Sequence, residues 1–206
     1  MVTILHGTAL EQDIARVRSS STPIGPFRQA VNRIGLHLAV EVSKHLPAKQ
    51  IEVSTPLERT AGTMIDGDVV LMPVLRSGLG LLEPFLHVLP DASVGYIGLK
   101  RDEVSLEARE YYKNFPPLSS STTAIILDPM LATGGSMKAT LDHLRDTPIR
   151  EILIACLIAA PEGIECVQKA YPNTKLFVAT LDRCLNEHGY IVPGLGDAGD
   201  RLFGTT

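Results

Sequence analysis

Between residues 24 and 46 the apolar positions fall three and four apart, and Phe27, Ala30, Val31, Ile34, Leu38 and Val42 make one stripe. That spacing predicts a long amphipathic helix ending near Pro47. The period then changes. Ile51 and Val53 alternate with polar neighbours, and the TPLERTAG stretch from Thr55 breaks regularity, which predicts a short hairpin or arm. Apolar runs at residues 69–74, 94–99, 124–127, 152–157 and 176–180 read as strands, with helical segments between most of them. This alternation implies a parallel α/β sheet flanked by helices. Met137, Leu141 and Leu144 recur at helical spacing, and Pro148 places the end of that helix soon after Arg145. Two stretches fit no period: a polar, proline-containing connection over residues 114–123, read as a mobile loop, and a glycine-rich segment over residues 189–204.

Length and composition narrow the class. At 206 residues the chain suits one sizeable core, so residues 1–206 are read as a single domain. A net charge of -4 and a pI near 5.9 argue against a surface adapted mainly to nucleic acid. No stretch approaches the length of a transmembrane helix, and MVTILHGTALEQD lacks a basic segment followed by an apolar one, so the cytoplasm is the expected location with no membrane partner. Cys156, Cys166 and Cys184 lack C-x-x-C spacing and read as structural thiols. The histidines show no paired-ligand pattern, so no metal cage made by the protein itself is expected.

The chemistry concentrates in AIILDPMLATGGSMKATL, residues 124–141. An uninterrupted apolar run suits a strand covered on both faces, and Asp128 ends it. Thr133, Gly134, Gly135 and Ser136 then offer successive backbone N–H groups and two hydroxyls to one anion, at the positive end of the following helix. An ordinary strand-to-helix turn would carry a Gly-Gly pair too. Neither G-x-x-x-x-G-K-[ST] nor an early G-x-G-x-x-G is present, so P-loop and dinucleotide readings lack their phosphate contacts. An acid at a strand end followed by T-G-G-S suits a ribose 5-phosphate, the carboxylate accepting from ribose hydroxyls while the loop holds the phosphate. In a doubly wound sheet Arg76, in LRSG, should lie beside that loop, where an arginine meets diphosphate; a surface ion pair is its plainer role. Arg101, in GLKRDE, sits among mixed charges that commonly form solvated surface.

DPMLATGGS resembles the 5-phosphoribosyl-1-diphosphate (PRPP) motif of the type I phosphoribosyltransferases, and of the uracil phosphoribosyltransferase family in particular. LRSG and GLKRDE are similar to that family's two diphosphate-binding arginine segments, and GYIVPGLGDAGDRLFGT resembles its uracil-binding C-terminus. The sequence departs from the family at Pro129, Ser77 and Lys100, where a second acid (in many members of the superfamily), an alanine and an aromatic residue are common. The resemblance implies a type I phosphoribosyltransferase fold with an N-terminal helical and hairpin arm and a C-terminal base-binding hood. It also implies a non-proline cis peptide, placed here at Arg76-Ser77. The PRPP contacts it implies are Arg76, Arg101, Asp128, Pro129, Met130, Leu131, Ala132, Thr133, Gly134, Gly135, Ser136 and Asp197. Uracil would meet Ile191, Gly196, Asp197 and Ala198. A backbone offering N–H, C=O and N–H suits the acceptor, donor and acceptor of uracil and penalises cytosine.

The implied reaction converts uracil and PRPP to UMP and diphosphate, with Arg76, Arg101 and Asp197 as catalytic residues and Mg2+ carried mainly on PRPP and water. A lid over residues 101–123 would exclude water. The family further implies a homodimer or higher homo-oligomer. Competing readings are a purine phosphoribosyltransferase, a pyrimidine-sensing RNA-binding regulator on the same fold, and a silent PRPP-binding protein.

Overall fold

The computed structural model describes residues 1–101 and 108–205. In chain order the elements are β1 (Val2–Ile4), α1 (Thr8–Arg18), α2 (Ile24–Ser43), β2 (Ala48–Ser54), β3 (Arg59–Ile65), β4 (Val69–Leu75) and α3 (Leu79–Val88). Next come β5 (Ser93–Val94), β6 (Tyr96–Arg101), β7 (Ala108–Asn114), β8 (Thr123–Leu127), β9 (Met130–Leu131) and α4 (Gly135–Leu144). The chain closes with β10 (Glu151–Ala159), α5 (Pro161–Ala170), β11 (Lys175–Leu181), β12 (Cys184–Leu185), β13 (Ile191–Val192) and α6 (Ala198–Phe203).

The main sheet runs β1-β11-β10-β8-β4-β6-β7, parallel except for the β6–β7 pair. Its central strands alternate their side chains between two cores. Leu71, Ile125, Leu127 and Phe177 face one layer with α1, α2 and α3, whereas Val70, Met72, Ala124, Ile126 and Val178 face the other with α4 and α5. Each fully buried aliphatic or Phe side chain contributes about 1.5–3 kcal/mol relative to exposure. The predicted stripe on α2 is the buried one, from Phe27 through Val42.

Because α3 leaves β4 onto one face and α4 leaves β8 onto the other, the carboxyl ends of these adjacent strands form a topological switch point, where a crevice opens. The expected arm is the β2–β3 hairpin, with Leu57 at its tip 96% exposed.

Two expectations are corrected. The non-proline cis bond is Leu75-Arg76, one peptide before the predicted Arg76-Ser77, since the chain turns as soon as β4 ends at Leu75. The connection over residues 115–122 is irregular, as expected, with Ser119–Ser121 exposed; at its ends Phe115 packs on the core and the Thr123 N–H donates to the Asp68 carbonyl at 2.7 Å. Within the expected lid, residues 108–114 form a strand hydrogen-bonded to β6, while 102–107 lie outside the described residues. Two further elements escape sequence reading: β1, three residues on the sheet edge, and α1, whose buried Leu10, Ile14 and Val17 fall at helical spacing but make only a short stripe.

Candidate active site

β8 delivers Asp128 to the switch point, and its carboxyl is buried, with 7% residue exposure. The Met130 N–H donates to its Oδ1 at 3.4 Å and the Ser77 hydroxyl approaches it, but burial outweighs both and lifts the pKa to about 7. Beside it, burial and the Asp128 charge push the Cys156 thiol well above its ordinary value, leaving an inert, structural sulfur. Gly134 N-caps α4 in the left-handed region at φ +82, which favours glycine, and its backbone lies against α5: a Cβ there would come within 2.8 Å of the Cys166 Cβ. The exposed Thr133 and Gly135 and the half-buried Ser136 complete the turn. Asp128, Met130, Leu131, Ala132, Thr133, Gly134, Gly135 and Ser136 line one cavity of about 290 Å³ together with Ser77 and Asp197.

A second cavity of about 280 Å³ adjoins it, lined by Arg76, Tyr190, Ile191, Gly196, Asp197, Ala198 and Gly199. Ser77, Met130, Ala132 and Asp197 belong to both, so the phosphate-type turn and the glycine-rich segment face each other across one cleft. The β12–β13 hairpin builds the second wall. Asn186 Oδ1 accepts from the His188 and Tyr190 N–H groups at 3.0 and 2.9 Å, fixing the tight turn that aims Tyr190 and Ile191 at the cavity. Asp197 N-caps α6, its Oδ1 accepting from the Asp200 N–H at 2.9 Å, which pins the carboxylate at the junction.

Of the residues singled out in the sequence, Pro129 does not line the cleft. Its carbonyl turns to β10, accepting from the Leu157 and Ile158 N–H groups at 3.1 and 2.9 Å. The Arg76 guanidinium lies at the rim, 3.8 Å from Asp200, on a side chain 58% exposed. Arg101 ends β6, and its side chain lies outside the described part of the structure. Sequence reasoning missed Tyr190, although an aromatic side chain between the recognised Gly189 and Ile191 was a usable signal for a planar ligand. Ser77, seen in the sequence only as a departure from the family's alanine, brings its hydroxyl to the buried Asp128 carboxylate of the cleft.

The arrangement suits a ligand with an anion at one end and a planar polar ring at the other. Among the described residues, no three His, Cys, Asp or Glu side chains gather into a metal cluster.

Comparison with known proteins agrees with this geometry. The family profile described as uracil phosphoribosyltransferase matches residues 4–205. The uracil phosphoribosyltransferase of Symbiobacterium thermophilum is 44% identical over 205 residues, 99% of this chain and 98% of that protein. The one from Fervidobacterium nodosum is 42% identical over 206 residues, covering 100% of each. A solved structure of an Aquifex aeolicus protein superposes with a TM-score of 0.94 at 34% identity, covering 100% of this chain and 99% of that one. A hypoxanthine phosphoribosyltransferase from Staphylococcus aureus, at 11% identity, a TM-score of 0.52 and coverage of 77% and 76%, shares the fold alone. With its T-G-G-S turn, its buried strand-end acid and its glycine-rich wall in one cleft, the chain belongs to the uracil phosphoribosyltransferase family of pentosyltransferases.

Proposed function

We propose that residues 1–206 act as a single catalytic domain that joins N1 of uracil to C1 of the ribose of PRPP, releasing diphosphate and forming UMP for pyrimidine salvage. The observation that carries the reading is the single cleft whose two halves share Ser77, Met130, Ala132 and Asp197. In it the 5-phosphate rests on residues 133–136, the ribose hydroxyls donate to Asp128, and the base lies against Ile191, Gly196 and Ala198. Arg76 and Arg101 neutralise the departing diphosphate, and Asp197 faces the positive charge that develops on the ribose. Holding base and sugar in line supplies much of the remaining rate without a covalent nucleophile.

Mg2+ fits this donor set as a hard cation held by substrate oxygens and water, with Asp128 and Asp197 the carboxylates that line the cleft. When bound, it supplies charge neutralisation on the leaving diphosphate. Transfer takes place in the cytoplasm, in a homodimer or higher homo-oligomer. The exposed apolar Leu57, Met64 and Ile65 on the arm support the oligomeric part of the reading. Among the described residues no helix is long and apolar enough to cross a membrane.

Diphosphate release with PRPP, Mg2+ and each nucleobase in turn tests the assignment. Release with uracil and not with cytosine or hypoxanthine is expected. Release with hypoxanthine in preference to uracil would replace this reading with purine transfer.

A further inference from the structure

Gly194 stands in the middle of the wall proposed to meet the base, three residues after Ile191 and two before Gly196. Its φ of +61 is in the left-handed region, and a Cβ there would approach the Ile191 carbonyl oxygen to 2.2 Å, so the turn accepts only glycine. Both of its backbone polar groups are held by one ion pair. The Gly194 N–H donates to Asp182 Oδ2 at 2.7 Å, and the Arg18 Nη1 donates to the Gly194 carbonyl at 3.0 Å. Arg18 and Asp182 also meet each other as a fork, Nη1 donating to Oδ2 at 2.9 Å and Nη2 to Oδ1. The carboxylate is 1% exposed, and neither side chain lines the cleft.

A pair whose carboxylate is buried in this way is a poor source of net stability, because desolvation of the charge offsets much of the attraction. What it supplies is geometry. Four hydrogen bonds converge on three residues that lie far apart in the chain, at the end of α1, just past β11 and in the wall itself. A second strap lies alongside: Arg201 donates to the carbonyls of Leu195 at 2.8 Å, Ser19 at 2.7 Å and Val17, with its guanidinium 4.2 Å from the centroid of the Phe27 ring. A wall that recognises a base by backbone groups has no side chains with which to compensate an error of position. Displacement by about 1 Å is enough to cost a large part of a site's efficiency.

We propose that Arg18 and Asp182 are positioning residues for base selection, gripping both polar groups of Gly194 so that the segment from Ile191 to Ala198 is held in register for the pyrimidine edge. The proposal rests on the uracil-transfer reading above and adds to it the residues that set specificity from outside the cleft. Asp182→Asn removes the charge and half of the fork while keeping the shape, and Arg18→Lys keeps the charge but not the planar geometry.

Steady-state diphosphate release separates a positioning role from a general structural one. In Asp182→Asn the KM for uracil should rise by more than about tenfold, with a smaller rise in Arg18→Lys, while the KM for PRPP stays within about twofold. The ratio of uracil to cytosine turnover should fall in both. Where a single variant fails to fold, the double variant Arg18→Met with Asp182→Leu fills the same space without charge and should show the same uracil-specific defect. Equal losses for both substrates, or an unchanged KM for uracil in variants of an active wild type, would overturn the proposal alone. A wild type that releases no diphosphate with uracil would overturn the transfer reading and this proposal together.

Discussion

Gly134 rests directly on Cys166: a methyl group added at Gly134 would come within 2.8 Å of the Cys166 Cβ and 3.0 Å of its Sγ. The turn proposed to hold the phosphate is therefore pressed against α5 at a point where the backbone also needs a positive φ. Gly134→Ala should lower PRPP affinity by more than about tenfold, since the left-handed conformation alone costs about 1–2 kcal/mol for a residue with a Cβ. Isothermal titration with PRPP and Mg2+ measures it. Wild-type affinity in this variant would mean that the turn does not hold the phosphate.

The acid at the end of β8 should make PRPP binding depend on pH. Its pKa of about 7 in the folded chain, against an ordinary 3.8, means that between those values the native state holds a proton that the unfolded state lacks. This group's contribution to stability therefore falls as pH rises through that window. Ribose hydroxyls donating to the carboxylate favour its charged form, so PRPP binding should expel the proton and tighten as pH rises towards about 7. Titrations in buffers of different ionisation enthalpy report the proton released. Asp128→Asn should abolish the Asp128 part of that release, and identical proton counts in the two proteins would refute the assignment.

Arg76 should matter for turnover and not for folding. Its pair with Asp200 is open to solvent and 3.8 Å long, a contact that contributes no more than about 1 kcal/mol. Arg76→Ala is expected to cut kcat/KM for PRPP by about 10²–10³-fold while shifting Tm by only a few degrees. A large loss of Tm would identify the arginine as structural.

Asp197→Asn keeps an N-cap for α6 but removes the charge at the junction of the two cavities. Turnover should fall far more than uracil affinity, and stability should hardly change. Unchanged turnover would remove Asp197 from the chemistry.

Leu57→Asp at the tip of the arm should weaken self-association, because a leucine 96% exposed in one chain contributes about 1.5–3 kcal/mol when covered by another. Sedimentation velocity across a concentration series measures the effect. A wild type that remains monomeric throughout would count against the oligomeric reading.

Much of the fold was legible because its elements carry strong periods. The stripe from Phe27 to Val42 and the wholly buried residues of β8 could hardly be anything else. The turn proposed to hold the phosphate stood out for a different reason, its candidate donors being packed into consecutive residues. Other features had no local signal. Ala108–Asn114, with its charged and tyrosine residues, reads as irregular until β6 is present to pair with it. Asp182 and Arg18 are separated by 164 positions, and nothing in either neighbourhood announces the other. Ser77 was visible only as a departure from alanine, because the carboxylate its hydroxyl meets is brought near by the β4–β8 pairing alone.

The shared boundary of the two cavities has an evolutionary corollary. On the proposed reading, anion handling is drawn from turns after β4 and β8, deep in the sheet, whereas the surface proposed to read the ring is a late hairpin and a short helix laid over the top. Such a layout makes nucleobase preference a transplantable trait. A lineage could retarget the enzyme by rewriting residues 186–199 while inheriting the sugar-phosphate half unchanged, provided the graft carries a glycine that α1 can still grasp.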